Sequence, residues 1–189
     1  FRNATNTLED IVLTNMARGF FPSVAQGAST TFNTIKSRKI TEGGLYASST
    51  ANFTITGLEI SETSQQHIKL FNYDGTANLV NSTFDVNSIQ YNGSGSGKIN
   101  EQFTYDITVA DTAGNKIQGA IVKLVDVKGN LIFEKTTGAD GKIGEQLITT
   151  RVFDYTNQTG KSNKPHTLYV SKYGYNFVEL TKDIAAKTI

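Results

Sequence analysis

From Asn100 onward, apolar and polar side chains alternate in short runs that stop at small polar turns. The runs include Ile107-Thr-Val109, Ile121-Val-Lys-Leu-Val125, Leu131-Ile-Phe133 and His166-Thr-Leu-Tyr-Val170, and they carry the two-residue side-chain period of a strand. The turns are Asp111-Thr-Ala-Gly-Asn115, Asp126-Val-Lys-Gly-Asn130 and Ala139-Asp-Gly-Lys142. Each puts Gly or Asn where a hairpin needs positive φ. The pattern predicts consecutive antiparallel strands forming a β-sandwich over residues 98–189. Its core is expected from Ile107, Val109, Ile121, Leu124, Ile132, Leu147, Leu168 and Val170.

Residues 1–97 carry a different signal. Thr50-Ala-Asn-Phe-Thr-Ile-Thr-Gly-Leu-Glu-Ile60 aligns with Thr76-Ala-Asn-Leu-Val-Asn-Ser-Thr-Phe-Asp-Val86, which matches Phe53 with Leu79, Leu58 with Phe84 and Ile60 with Val86. The same apolar spacing recurs at Leu8-Ile11-Leu13 and, with a polar interruption, at Ile35-Arg38-Ile40. A repeat of this length with one strand-forming core predicts a solenoid whose coils stack apolar residues on one another. Asn81 and Arg38 would then occupy inward positions, so a second antiparallel sandwich or a jelly roll stays open for this half. The Gly/Ser segment Asn92-Gly-Ser-Gly-Ser-Gly97 marks the expected boundary between two domains. Either way the chain is expected to be all-β.

Composition narrows the classes. The 189 residues are 38% hydrophobic, enough for a packed core, and only 19% charged, with a formal net charge of +1. So balanced a charge argues against nucleic acid as a partner. There is no cysteine, which removes disulfides and thiolate chemistry together. No apolar stretch is long enough for a membrane span, and the chain, opening at Phe1, reads as a mature form or an excised fragment. A solenoid cut at this point would present an open first coil near Phe1, Phe20 and Phe21.

The C-terminal pattern of Val109-x-Asp111, Ile117-Gln-Gly-Ala-Ile-Val-Lys-Leu-Val-Asp126, Gly-Asn-Leu-Ile-Phe133 and Thr-Thr-Gly-Ala-Asp-Gly141 resembles the prealbumin-like and immunoglobulin-like β-sandwich modules of bacterial and archaeal cell-surface proteins. The N-terminal repeat resembles the terminal coils of a right-handed parallel β-helix. Together the resemblances imply an extracellular, non-enzymatic structural or adhesive protein of a cell envelope, surface layer or filament, with self-association or other surface proteins as partners. Strand Asn6 to Thr14 would be the donor to a neighbouring subunit. The alternative they imply is a fragment of a polysaccharide-binding or polysaccharide-degrading β-helix protein, with glycans as partners.

Candidate chemistry is sparse. Glu59 and Asp85 fall at matching positions of the aligned repeat, so stacking would pair two carboxylates on one outer face. That pair is the candidate carbohydrate face, against the plainer reading of a solvated surface. His67 and His166 stand in separate domains and suit strand-edge positions better than a metal site. No catalytic residue and no cofactor are expected. Ca²⁺ is the one ion that Asp111, Asp126 and Asp140 could invite, although turn chemistry alone accounts for Asp there. Tyr169, Tyr173 and Tyr175, with Phe153, Tyr155 and Phe177, could form a sugar-stacking platform, but alternation assigns them to core filling and turn anchoring. Five Asn-x-Ser/Thr sequons, at Asn3, Asn52, Asn81, Asn92 and Asn157, are candidate glycosylation sites.

Overall fold

The computed structural model of the chain describes residues 7–22, 29–63, 65–177 and 179–184. Asn3, Asn6 and Phe1 lie outside these residues. Sixteen strands and no helix occur among the described residues: β1 (Thr7–Thr14), β2 (Arg18–Phe20), β3 (Ser29–Arg38), β4 (Gly43–Ser49), β5 (Asn52–Thr56), β6 (Glu59–Ser61), β7 (Gln66–Tyr73), β8 (Thr76–Val80), β9 (Ile89–Asn92), β10 (Lys98–Tyr105), β11 (Ile121–Val125), β12 (Leu131–Thr136), β13 (Gln146–Asp154), β14 (Lys161–Ser162), β15 (His166–Ser171) and β16 (Leu180–Lys182). The chain is all-β, as its patterning predicts. It packs as two units, Phe1–Gln102 with Arg151–Lys161, and Phe103–Thr150 with Ser162–Ile189.

The first unit is solenoid-like. Strands β1, β3, β5, β8 and β10 are successive parallel neighbours in one sheet, while β2, β4, β7 and β9 are successive parallel neighbours in another. Parallel neighbours cannot be joined by a tight hairpin, and here each crossover is itself a strand of the opposite sheet. The register gives the coil length directly. Thr7 pairs with Thr31, Ser29 with Asn52, Phe53 with Ala77 and Thr76 with Lys98, so successive coils advance by 24, 23, 24 and 22 residues.

This register corrects the sequence alignment. The shared Thr-Ala-Asn tripeptide suggests a step of 26, but Phe53 stacks on Ala77 and Ile55 on Leu79, a slip of two residues that keeps inward residues inward. The first two steps differ more, since Ile11 pairs with Ile35 and Lys36 with Glu59. Both apparent flaws then disappear from the interior. Arg38 is exposed and forms an ion pair with Glu62 of the next coil at 2.7 Å, and Asn81 sits at a bend rather than beneath Ile55. The polar residues that do enter the stack are Ser37 and Ser82. The Ser37 hydroxyl donates to the Gly44 carbonyl (2.8 Å); Ser82 Oγ donates to the Val80 carbonyl (3.1 Å) and accepts from the Leu58 amide (3.2 Å). Satisfied in this way, a hydroxyl is tolerated among Ile35, Leu58, Leu70 and Leu79, all of them fully buried.

Bends are stacked as well. Asp10, Thr34, Gly57 and Asn81 all have φ between 45° and 75°, and the register places them one above another through the four coils. A second such column is Asn15, Lys39 and Glu62; a third joins Asn72 to Gly93. Gly carries this conformation freely and Asn or Asp at small cost, whereas Thr34, being β-branched, is strained there.

The last coil turns around Tyr73. Its hydroxyl donates to the Ala51 carbonyl (2.8 Å), its amide donates to the Tyr155 hydroxyl (3.0 Å), and its ring is fully buried. Residues 93–97 close over it as a corner between β9 and β10, not as a linker between separately packed halves. The Ser94 amide donates to Asn72 Oδ1 (3.1 Å), the Ser96 amide to Asp74 Oδ1 (2.8 Å), and the Gly97 amide to the Tyr73 carbonyl (2.8 Å). A Cβ on Gly97 would meet the Tyr73 ring and carbonyl, and one on Gly75 would overlap the Ala51 carbonyl. The packing units accordingly differ from a division at residue 97. Residues 98–102 and 151–161 belong with the solenoid, where Ile99 and Phe153 are fully buried in its core.

The second unit holds an antiparallel sheet in the order β12, β11, β15, β16. Val122, Leu124, Phe133 and Leu168 face a core completed by Phe103, Ile107, Val109, Ile117 and Ile148. Of the expected core, Ile107, Val109, Leu124 and Leu168 are buried, and Ile132 and Val170 pack against it. Ile121 and Leu147 are instead 45% and 52% exposed, with their chain neighbours Val122 and Ile148 buried in their place. Each stands in an apolar pair, where alternation alone cannot choose the inward member.

The turns follow their expected chemistry. Asp111 Oδ1 accepts from the amides of Ala113 and Asn115 while its Oδ2 accepts from the Asn115 side chain, all at 2.9 Å; Asp126 repeats the arrangement with Lys128 and Asn130 at 2.8 Å. Gly114 and Gly129, at φ 87° and 82°, make both turns possible.

The stacked corners make three stability predictions. Replacing Thr34 with Asn should raise unfolding free energy by about 1 kcal/mol, since it relieves a β-branched side chain of a left-handed backbone. Urea unfolding measures this, and a less stable T34N would show that the Thr side chain gives more than its backbone costs. Tyr73→Phe should lose about 1–2 kcal/mol by orphaning the Ala51 carbonyl. Gly97→Ala should lose about 1–3 kcal/mol by overpacking against Tyr73, and an unchanged urea midpoint for either variant would refute the corner analysis.

Candidate functional site

Glu59 and Asp85 are not brought together as a stacked pair. Glu59 is in register with Thr83 and forms an ion pair with Lys36 on the preceding coil (3.1 Å). Asp85 is instead tied to its own bend, where its Oδ1 accepts from the Asn87 amide (2.9 Å). The corrected coil step of 24 is what separates them. The register therefore does not stack these two carboxylates on one another.

His67 has a structural role in the same region. Its Nδ1 accepts from the Asp85 amide (2.9 Å), which fixes the neutral tautomer with the proton on Nε2, and burial holds its pKa below the ordinary histidine value against the pull of Asp85. His166 lies in the second unit, fully buried in β15. Burial lowers its pKa too, opposed by Asp126 and Asp183. Among the described residues, no group of three His, Asp or Glu side chains converges to hold a metal ion. Asp111 and Asp126 have both carboxylate oxygens occupied by their own turns, and these bonds, the Asn115 and Asn130 side chains first, hold both pKa values below the usual carboxylate range.

The sequons are placed differently from one another. Asn52 begins β5, exposed, with its Oδ1 accepting from the Thr76 amide one coil on (2.8 Å). Asn81 is half-buried at a left-handed bend, Asn92 half-buried at the end of β9, and Asn157 half-buried in the turn that Asp154 organises.

Two surfaces remain that could meet a partner. One is the starting edge of the solenoid. Among the described residues, β1 pairs only with β3 and β2 only with β4, so each sheet ends there in an edge strand. Phe20 packs inside the coil, but Val12, Met16 and Phe21 are 65%, 45% and 46% exposed along this end. The other surface is a groove of about 520 Å³ in the second unit, at the turn between β15 and β16, with Ile121 and Val170 in its floor and Lys172, Tyr175, Asn176 and Phe177 in its walls. The expectation of core filling and turn anchoring holds for Phe153, fully buried in the first unit, and for the turn that the Tyr175 amide closes onto the Lys172 carbonyl, but the tyrosines themselves stay on the surface. Tyr169 is 40% exposed, Tyr175 47%, and Tyr173 wholly exposed, because Gly174 at φ 83° turns the chain outward between them. Phe153 and Tyr155 belong to the first unit and take no part.

By architecture the chain is an all-β protein in which a parallel, solenoid-like arrangement is followed by an antiparallel sheet. No protein-family model matches it, nor does any curated protein or solved structure. No helix among the described residues is long and apolar enough to cross a membrane.

Both histidines bind their protons less tightly folded than unfolded. Below about pH 6.5 the unfolded chain therefore takes up more protons, and stability should decline as pH falls from 7 to 5. Thermal unfolding across that range checks this. The decline should flatten when His67 and His166 are both replaced by Gln; an identical slope in the double variant would place the effect elsewhere.

Proposed function

We propose that this chain is a non-enzymatic structural or adhesive component of an extracellular surface assembly, joined to its neighbours by backbone hydrogen bonding at an open sheet edge. The observation that carries this reading is β1. It is an eight-residue strand with a paired side toward β3 and, among the described residues, no strand on the other. Exposed edges of this length are self-complementary for β-pairing, and natural proteins usually block them with charge, proline or a covering segment. The outward Val12 offers no such block, and the strand's charges, Glu9 and Asp10, are confined to its first half.

The compartment is supported by composition. An all-β chain without cysteine, rich in Thr, Ser and Asn and carrying five sequons, suits a surface where disulfides are dispensable and packing sets stability. Coil-to-coil ion pairs and amide contacts suit a mechanical role: Arg18 with Glu42 (2.8 Å), Arg38 with Glu62 and Asn100 with Asn78 (2.8 Å) each tie one coil to the next.

Sedimentation velocity over a hundredfold concentration range tests the edge. The chain should self-associate as concentration rises, and Val12→Lys should shift it to monomer while leaving the circular dichroism spectrum unchanged. A monomer at every concentration, or association that V12K leaves intact, would overturn assembly through β1.

A further inference from the structure

We propose that the groove between β11 and the turn after β15 is a binding subsite for an acidic sugar, independent of the edge described above. Its walls combine the two things a pyranose requires. Tyr175 and Phe177 lie nearly parallel, with ring centroids 6.0 Å apart and 25° between planes, and Tyr175 keeps about half its surface open to solvent. A ring of this kind packs against the apolar C–H face of a sugar, while Tyr173, wholly exposed beside it, supplies a second face and a phenolic hydroxyl.

Polar groups surround the rings on a fixed backbone. The turn is closed by the Tyr175 amide donating to the Lys172 carbonyl (3.1 Å), with Gly174 in the left-handed region. Lys172 is held rather than free, since its Nζ donates to the Gln118 carbonyl (2.6 Å) across the groove floor and two N–H groups remain to donate. The exposed Asn176 amide adds a donor and an acceptor. Among the described residues lining the groove, Lys172 is the sole charged one, and no carboxylate stands among them. Charge complementarity therefore selects a carboxylate-bearing sugar, such as a uronate, over a neutral one.

Exposure of two tyrosines at one turn is itself informative. The turn needs Gly174 but has no need of Tyr at 173 and 175, and two adjoining exposed aromatic side chains at the rim of a groove are the arrangement that marks a ligand site. The volume of about 520 Å³ fits one to two sugar rings.

The test uses the full-length chain with oligogalacturonate as the acidic probe and maltooligosaccharide as the neutral one, read by amide NMR shifts and by calorimetry. Shifts should concentrate at Gly119, Lys172, Tyr175 and Asn176, with oligogalacturonate bound at least tenfold more tightly than its neutral counterpart. Tyr175→Ala should abolish the shifts. Lys172→Gln should weaken the acidic probe to the neutral level and remove its salt dependence, with both variants checked for an unchanged unfolding midpoint. Absence of groove shifts with both probes overturns the subsite. Equal binding of both overturns the assignment to an acidic sugar, as does K172Q with undiminished oligogalacturonate affinity.

Discussion

Stacking in the first unit depends on every coil bending at the same place. A parallel pair transmits the backbone conformation of one strand to the next through its hydrogen bonds, so a bend in one coil without its counterpart in the next would break the ladder at that point. The columns Asp10–Thr34–Gly57–Asn81 and Asn15–Lys39–Glu62 satisfy this requirement with residues of quite different chemistry. What they share is a backbone torsion. Apolar layers such as Ile55 on Leu79 then fall into line because the bends have already fixed the register.

This explains what could be read from the sequence and what could not. The apolar-x-x-apolar-x-apolar core was legible because inward residues must be apolar, and so was the all-β class. The coil step was not. Alignment by residue identity followed Thr-Ala-Asn to a step of 26, whereas the register obeys the bends at Gly57 and Asn81, a step of 24. Asp10, Asn15, Gly57, Asn72, Asn81 and Gly93 are of the residue types that take a left-handed bend readily; Thr34, Lys39 and Glu62 give no such sign. The supposed carboxylate pair at Glu59 and Asp85 inherited that slip.

The second unit was read from the other direction. Its turns were legible because Asp and Asn side chains write their hydrogen bonds locally, within five residues. Which face of a strand turned inward was legible only where apolar and polar residues alternate. Ile121-Val122 and Leu147-Ile148 do not alternate, and both were assigned to the wrong face. The aromatic groove was hidden for a related reason: Tyr is at home both in a core and on a surface, and only the outward turn at Gly174 decides between them.

The ion pairs and amide contacts between coils make stability additive from neighbour to neighbour, as in any quasi-one-dimensional array. An interior coil has two such neighbours, but among the described residues β1 has one. An end strand of such an array is where opening and solvent exchange are expected to begin. A strand arriving on that open side would turn an end into a middle, so that for this chain the act of joining a neighbour and the act of becoming rigid would be a single event.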